Sequence, residues 1–348
     1  MDVDLRSESE VIEAREIIRD DEFWYADGNI ILIAKNHAFK VYCGILSQHS
    51  KVFRGLLSLP QPESAERMDG CPIIHLIDSP DDVRYMLRYL LDYKKHFLVT
   101  KQITFVAAAA LIRLGHKYQF EALQEEGTAL LKSHFPDRYG MWFATQRRGV
   151  SFQDQPWLCD AMAAVNLAHL IGEDSVLPTA LYACCQLDTS TLITGTAYAD
   201  GVVERLSSED LVACLDGRME LQRVLAACLR YICTREDPND EIDRTCDRQT
   251  CLQDVTKVLE NQARERRWVD TDAHWICNGM LDVGECYTMN CCEGCLEVLQ
   301  AKGDRAFMSI WNKLPGMFRL SIENWHDMRV DNMGPDEMGP EGPWRRWY

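Results

Sequence analysis

Between Asp21 and Leu59 the patterning changes from that of strands to that of helices within one short unit, DEFWYADGNIILIAKNHAFKVYCGILSQHSKVFRGLLSL, and this restricts the fold more than any other stretch. The β-branched run Ile30, Ile31, Leu32 and Ile33 precedes the turn-prone pair Lys35-Asn36, after which Phe39 and Val41 alternate with Lys40 and Tyr42. That alternation across a tight turn predicts a β-hairpin. From Ile45 onward, Ile45, Leu46, His49, Val52, Phe53 and Leu56 follow helical spacing interrupted between Ser47 and Ser50, which predicts two short helices. A hairpin that feeds a helix pair is an α+β unit.

The following residues extend that unit. The polar loop Pro60 to Gly70 leads to a third predicted strand, Pro72 to Ile77. Ser79-Pro80-Asp81-Asp82 then has the chemistry of a helix start: a capping hydroxyl, Pro in the first turn, and carboxylates at the positive end of the dipole. The helix it opens places Val83, Met86, Leu87, Leu90 and Leu91 on one face. Two more helices are predicted, one from Thr104 to Leu114 stopped near Gly115, and one from Tyr118 to Phe135 ended by Pro136, with Phe120, Leu123, Leu130 and Leu131 inward.

In order and spacing, Asp27, the apolar strand, the turn, Phe39-Lys40-Val41, Ile45-Leu46, Ser47, Ser50 and Val52-Phe53 resemble the opening of a BTB/POZ domain. Leu114-Gly115-His116-Lys117-Tyr118 resembles a later segment of the same family, so the likeness covers about residues 21 to 135. The lead-in Phe23-Trp24-x-x-Asp27-Gly28-Asn29 is similar to the expanded BTB family of mushroom-forming (basidiomycete) fungi. The resemblance implies an α+β BTB/POZ domain, a small sheet with a helical cluster, that self-associates as a homodimer or recruits protein partners. It implies partner-binding roles around Asp27, Phe39, Lys40, Leu46, Ser50 and Phe53. Two alternatives within the family are a substrate adaptor of a cullin-type ubiquitin ligase and a transcriptional co-regulator without direct DNA contact. The adaptor reading asks for an apolar-x-Glu motif after the second short helix, and here Leu59-Pro60-Gln61-Pro62-Glu63 puts polar Gln61 in the apolar place. The family commonly pairs its early Asp, here Asp27, with a basic residue at the position of Cys43. A thiol carries no positive charge at neutral pH, and Lys40, three places away in an alternating strand, falls on the opposite face.

The domain reading is an acidic arm over residues 1–20, a BTB/POZ domain over 21–136, a linker over 137–156, a helical C-terminal domain over 157–330 and a Gly/Pro-rich disordered tail over 331–348. In the arm, Val11, Ile12, Ala14, Ile17 and Ile18 give a short helical stripe, and a frayed, solvated arm is favoured over one whose stripe docks on a partner or on the following domain. Beyond the linker no strand alternation is apparent. Trp157 to Leu170, Leu177 to Leu187, Ser208 to Leu215, Glu220 to Thr234, Cys251 to Arg264 and Cys292 to Leu314 carry helical periodicity, so an all-α domain is expected. Val176-Leu177-Pro178 and Leu181 to Cys185 are also similar to the C-terminal region of the fungal group.

At 348 residues with a net charge of -17, the chain has room for two cores and lacks the Lys/Arg cluster that phosphate binding needs, so no nucleic-acid partner is expected. The longest apolar stretch, Phe105 to Ile112, is far shorter than a bilayer span, and no basic segment followed by an apolar run opens the chain. The expectation is therefore an intracellular protein, cytoplasmic or nuclear, with no membrane partner. Its 15 cysteines are irregularly spaced and read as reduced thiols, mostly in the core. No phosphate loop, nucleophile elbow, dinucleotide fingerprint or H-E-x-x-H occurs, so no catalytic residue and no cofactor is predicted and the chain is not expected to be an enzyme. One set has metal-ligand spacing: His274-x2-Cys277 and Cys292-x2-Cys295. The same Cys292 and Cys295 continue through Leu296 and Leu299 as a helical apolar stripe toward Trp311 and Leu314, and the core reading is favoured over structural zinc. Trp311, Leu314, Met317, Phe318 and Leu320 are read as the core of the last helices in preference to a partner groove.

Overall fold

The computed structural model describes residues 16–59, 66–93, 104–138, 156–198, 202–233, 292–322 and 325. The chain divides into two compact units, Met1–Gly127 and Thr128–Tyr348.

The first unit is a small mixed sheet followed by helices. Strands β1 (Ile18–Trp24), β2 (Ile30–Ala34), β3 (His37–Val41), β4 (Arg67–Met68) and β5 (Cys71–Leu76) lie in the order β1-β3-β2-β5-β4. β2 and β3 form the predicted hairpin in register Ile30↔Val41 to Ala34↔His37, and Lys35 takes the positive φ of 53° that the turn requires. All five residues of β2 are buried, and β5 pairs with it in parallel on its other edge, so β2 is a central strand. The helices are α1 (Cys43–His49), α2 (Lys51–Ser58), α3 (Pro80–Tyr93), α4 (Phe105–Tyr118) and the first half of α5 (Glu121–His134), within which the unit ends at Gly127. Ser79 Oγ accepts from the Asp82 amide at 3.1 Å at the predicted start of α3, and Val83, Met86 and Leu87 are buried beneath it.

Two expectations change here. Ile18, assigned above to a helical stripe, instead opens β1; residues 1–15 of the arm lie outside the described residues. β1 pairs in parallel with β3 at Ile18↔His37 and Trp24↔Lys40, and bulges between Arg19 and Trp24. The bulge is held by buried Asp20, which accepts from the amides of Glu22 and Phe23 and from Arg84 Nε of α3 at 2.7 Å. Gly115 likewise does not stop α4, which continues to Tyr118 and ends where Gln119 turns left-handed. A Cβ on Gly115 would meet the Gln124 amide of α5 at 2.7 Å, so the glycine marks a close helix crossing.

The second unit is mostly helical. It contains α6 (Pro156–Ile171), a 3-10 turn at Asp174–Val176, α7 (Leu177–Cys184), α8 (Thr189–Thr194), α9 (Ser208–Cys233) and α10 (Glu293–Met317). Contrary to the all-α expectation it also holds an antiparallel ribbon, β6 (Thr196–Ala197) with β7 (Val203–Glu204). The two helices predicted over 208–234 are one, α9, which passes through Gly217 without a break. A Cβ there would lie 2.4 Å from Phe318 Cε1, so the glycine admits the ring that follows α10. Trp311, Leu314, Met317 and Phe318 are buried and Leu320 is half-buried, while Trp325 stacks on Trp311 at 4.9 Å, as a core cluster does. Most of the proposed linker, the predicted helix Cys251 to Arg264 and the tail lie outside the described residues. Among those residues no helix is long and apolar enough to cross a membrane.

Candidate functional site

Ser50 joins α1 to α2 and sets the direction of α2. Its amide donates to Leu46 O at 2.9 Å, ending α1, and its Oγ accepts from the Phe53 amide at 2.9 Å, starting α2. The same hydroxyl donates to Tyr118 O at 2.5 Å, tying both short helices to the end of α4. Phe53 then inserts between Tyr118 and Phe120, with ring centroids 5.0 and 5.8 Å away. Tyr118 donates to Asp78 at 2.5 Å, and its burial and that hydrogen bond push the phenol well above its ordinary pKa.

With Phe53 fixed inward, α2 leaves Val52 and Leu56 in water, and Leu59 follows directly after its last turn with extended backbone. All three are exposed, Leu59 to 63%, two of them on α2 and the third at its C-terminal cap. The spacing of residues 45–56 groups Val52 and Leu56 with Phe53, and the structure separates them. Basic residues flank these side chains in fixed positions. Arg54 donates through Nε to Ser47 O and through Nη2 to Gln48 O, both at 2.9 Å, which satisfies the free carbonyls of α1, and Lys51 pairs with Glu121 at 2.6 Å. No sequence signal distinguishes the outward side chains from the inward ones, because both are apolar.

The six residues singled out from the sequence fall in two groups. Phe39, Leu46, Ser50 and Phe53 are fully buried and Lys40 nearly so; these side chains shape the surface from beneath and offer little or none of it themselves. Asp27 is exposed, and its partner is neither Cys43 nor Lys40. The Tyr42 hydroxyl donates to Asp27 Oδ1 at 2.8 Å, and that bond raises the phenol's pKa. Lys40 Nζ donates to Ala26 O at 3.1 Å, and Cys43 meets Asn29 Oδ1 with its backbone amide at 2.8 Å. Asp27 is thus met by a neutral donor. Residues 60–63, where the adaptor reading looks for its apolar-x-Glu motif, lie outside the described residues.

A second feature of the first unit is an open groove of about 380 Å³ between the β1 bulge and α3, lined by Asp20, Asp21, Glu22, Asp81, Arg84 and Arg88 among others. Most of its charges meet one another: Arg84 pairs with Asp20 and Asp81, and Arg88 with Glu22 at 2.7 Å. In the second unit Ser207, Asp210 and His169 stand together, yet Asp210 lies between the other two. Ser207 Oγ donates to Asp210 Oδ2 at 2.7 Å and accepts from the Asp210 amide, and the imidazole Nε2 meets Oδ1 at 3.1 Å, so the set caps α9 and the imidazole meets the carboxylate, not the hydroxyl.

Of the metal-like set, His274 and Cys277 lie outside the described residues, while Cys292 is the N-cap residue of α10 and Cys295 stands in its first turn, both half-buried. Among the described residues no group of three or more His, Cys, Asp or Glu is arranged to hold a metal ion. Cys71, Cys184, Cys185, Cys214 and Cys228 are buried free thiols, and burial pushes the Cys184 and Cys185 thiols up. No protein-family model matches the chain, and comparison with curated proteins finds no match.

Proposed function

We propose that this chain is a protein-interaction protein whose first unit is a BTB/POZ-type domain that recruits a partner protein through α2. The observation that carries this reading is the group Val52, Leu56 and Leu59, three apolar side chains in water on and just past a helix whose N-terminal end is fixed by buried hydrogen bonds of Ser50. Apolar surface of that kind gains about 25 cal/mol per Å² when a partner covers it, and a rigid support spares the ordering cost of docking. The order of hairpin, helix pair, third long strand and closing helices supports the BTB/POZ assignment, since it is the order that the resemblance of residues 21–135 implies. The partner's contact face is apolar, and the function is binding, not catalysis.

The triple variant Val52→Glu, Leu56→Glu, Leu59→Glu tests this, because all three positions are exposed and the fold does not need them apolar. A protein captured by the full chain, then purified, is expected to bind the variant about tenfold or more weakly, with circular dichroism unchanged. Equal binding of wild type and variant would remove α2 as the recruiting surface.

A further inference from the structure

Helix α9 carries an apolar row on the face turned away from its core contacts. Cys214, Gly217, Leu221 and Cys228 are buried, whereas Val212, Leu215, Met219 and Ala226 are exposed, Met219 to 72%. The exposed positions recur at steps of three, four and seven residues, with the exposed Gln222 between Met219 and Ala226, the spacing of a seam between two paired helices. Beside them stand Glu209, Asp216, Arg223 and Arg230, each seven residues from the next, so they line one edge of that seam. Glu209, Arg223 and Arg230 are exposed and Asp216 is half-exposed. The signs divide at the middle of the line, with two acids toward the N-terminus and two bases toward the C-terminus. This pattern exists only because α9 runs unbroken through Gly217, which places all four charges in one helical register.

We propose that a second copy of this chain docks on this row with the two α9 helices antiparallel. A two-fold axis between Met219 and Glu220 sets Glu209 against Arg230 of the second copy and Asp216 against its Arg223, since both pairs are centred on that same point. Four attractive pairs result, and the apolar rows meet between them. A parallel arrangement sets each charge against its own copy, acid beside acid and base beside base, and is disfavoured. Asp216 already pairs with Arg319 at 2.5 Å and Arg223 with Glu220 at 2.5 Å, but these are exposed ion pairs that exchange in water at little cost. The complementary line also offsets locally the repulsion between two copies that each carry a net charge of -17.

Two charge variants of the full chain test the proposal by sedimentation velocity at tens of micromolar: Glu209→Lys with Asp216→Lys, and Arg223→Glu with Arg230→Glu. Wild type is expected to sediment as a dimer. Each variant alone has four like-charged contacts and is expected to dissociate about tenfold or more readily, and an equimolar mixture of the two is expected to restore a dimer. A monomeric wild type, a variant that dimerises as tightly as wild type, or a mixture that stays monomeric overturns it. The α2 surface uses none of these residues, so either reading can fail while the other stands.

Discussion

Ser50 has three backbone partners for one side chain and its own amide, and no water is needed to satisfy them. Ser50→Ala leaves the Phe53 amide and the Tyr118 carbonyl without their partner in a fully buried position. The expected cost is about 1 to 3 kcal/mol in equilibrium urea unfolding, the range for losing a buried cap. Asp160 in α6 behaves differently. Burial raises its carboxyl pKa, against the Tyr198 hydroxyl and the nearby His134, which lower it. A folded-state pKa above the unfolded one means that the native chain holds the proton longer. The associated stability is present below the unfolded value of about 3.9 and is lost as pH rises through the folded value. Asp160→Asn keeps an acceptor for Tyr198 without the buried charge. It is therefore expected to raise the melting temperature at pH 7 and to change it little near pH 3, and a variant less stable than wild type at pH 7 would contradict this.

At the scale of elements, glycine separates crossings from open faces. Gly115 sits where α4 meets the α5 backbone, whereas Gly55 in α2 has nothing within 4 Å of the place where a Cβ would stand. Gly115→Ala is expected to cost about 1 to 3 kcal/mol through overpacking, and Gly55→Ala to add up to about 1 kcal/mol through helix propensity. Paired urea titrations should show shifts of opposite sign. From spacing alone Gly115 reads as a helix stop, since a glycine that ends a helix and one that admits a neighbour look the same until the neighbour is known. For the same reason the break expected between Leu215 and Glu220 does not occur: Phe318, about a hundred residues later, supplies the packing that Gly217 accommodates. β1 was hidden by its composition. The sequence IRDDEFW has the acidity of a solvated arm, and Asp20 enters the interior only because Arg84 of α3 meets it.

For the whole molecule, what residue order settled was local. The β2-β3 hairpin, the helix pair broken at Ser50, the start of α3 at Ser79-Pro80 and the helical character of the second half follow from period, turn chemistry and caps, each spanning a few residues. The inward places of Phe39, Leu46 and Phe53 were legible as apolar positions, but not which neighbouring apolar residues stay in water. Val52 and Leu56 are indistinguishable from Phe53 by type, and only the packing of Phe53 against Tyr118 and Phe120 decides which face of α2 is the outer one. The partner of Asp27, the path of β1 and the unbroken register of α9 were decided in the same way, by groups far apart in the chain. Local signals come from short-range sterics and hydrogen bonds that any stretch carries with it. Exposure is a property of what else is nearby, and for α2 and α9 the tertiary structure alone determines which apolar residues stay in water.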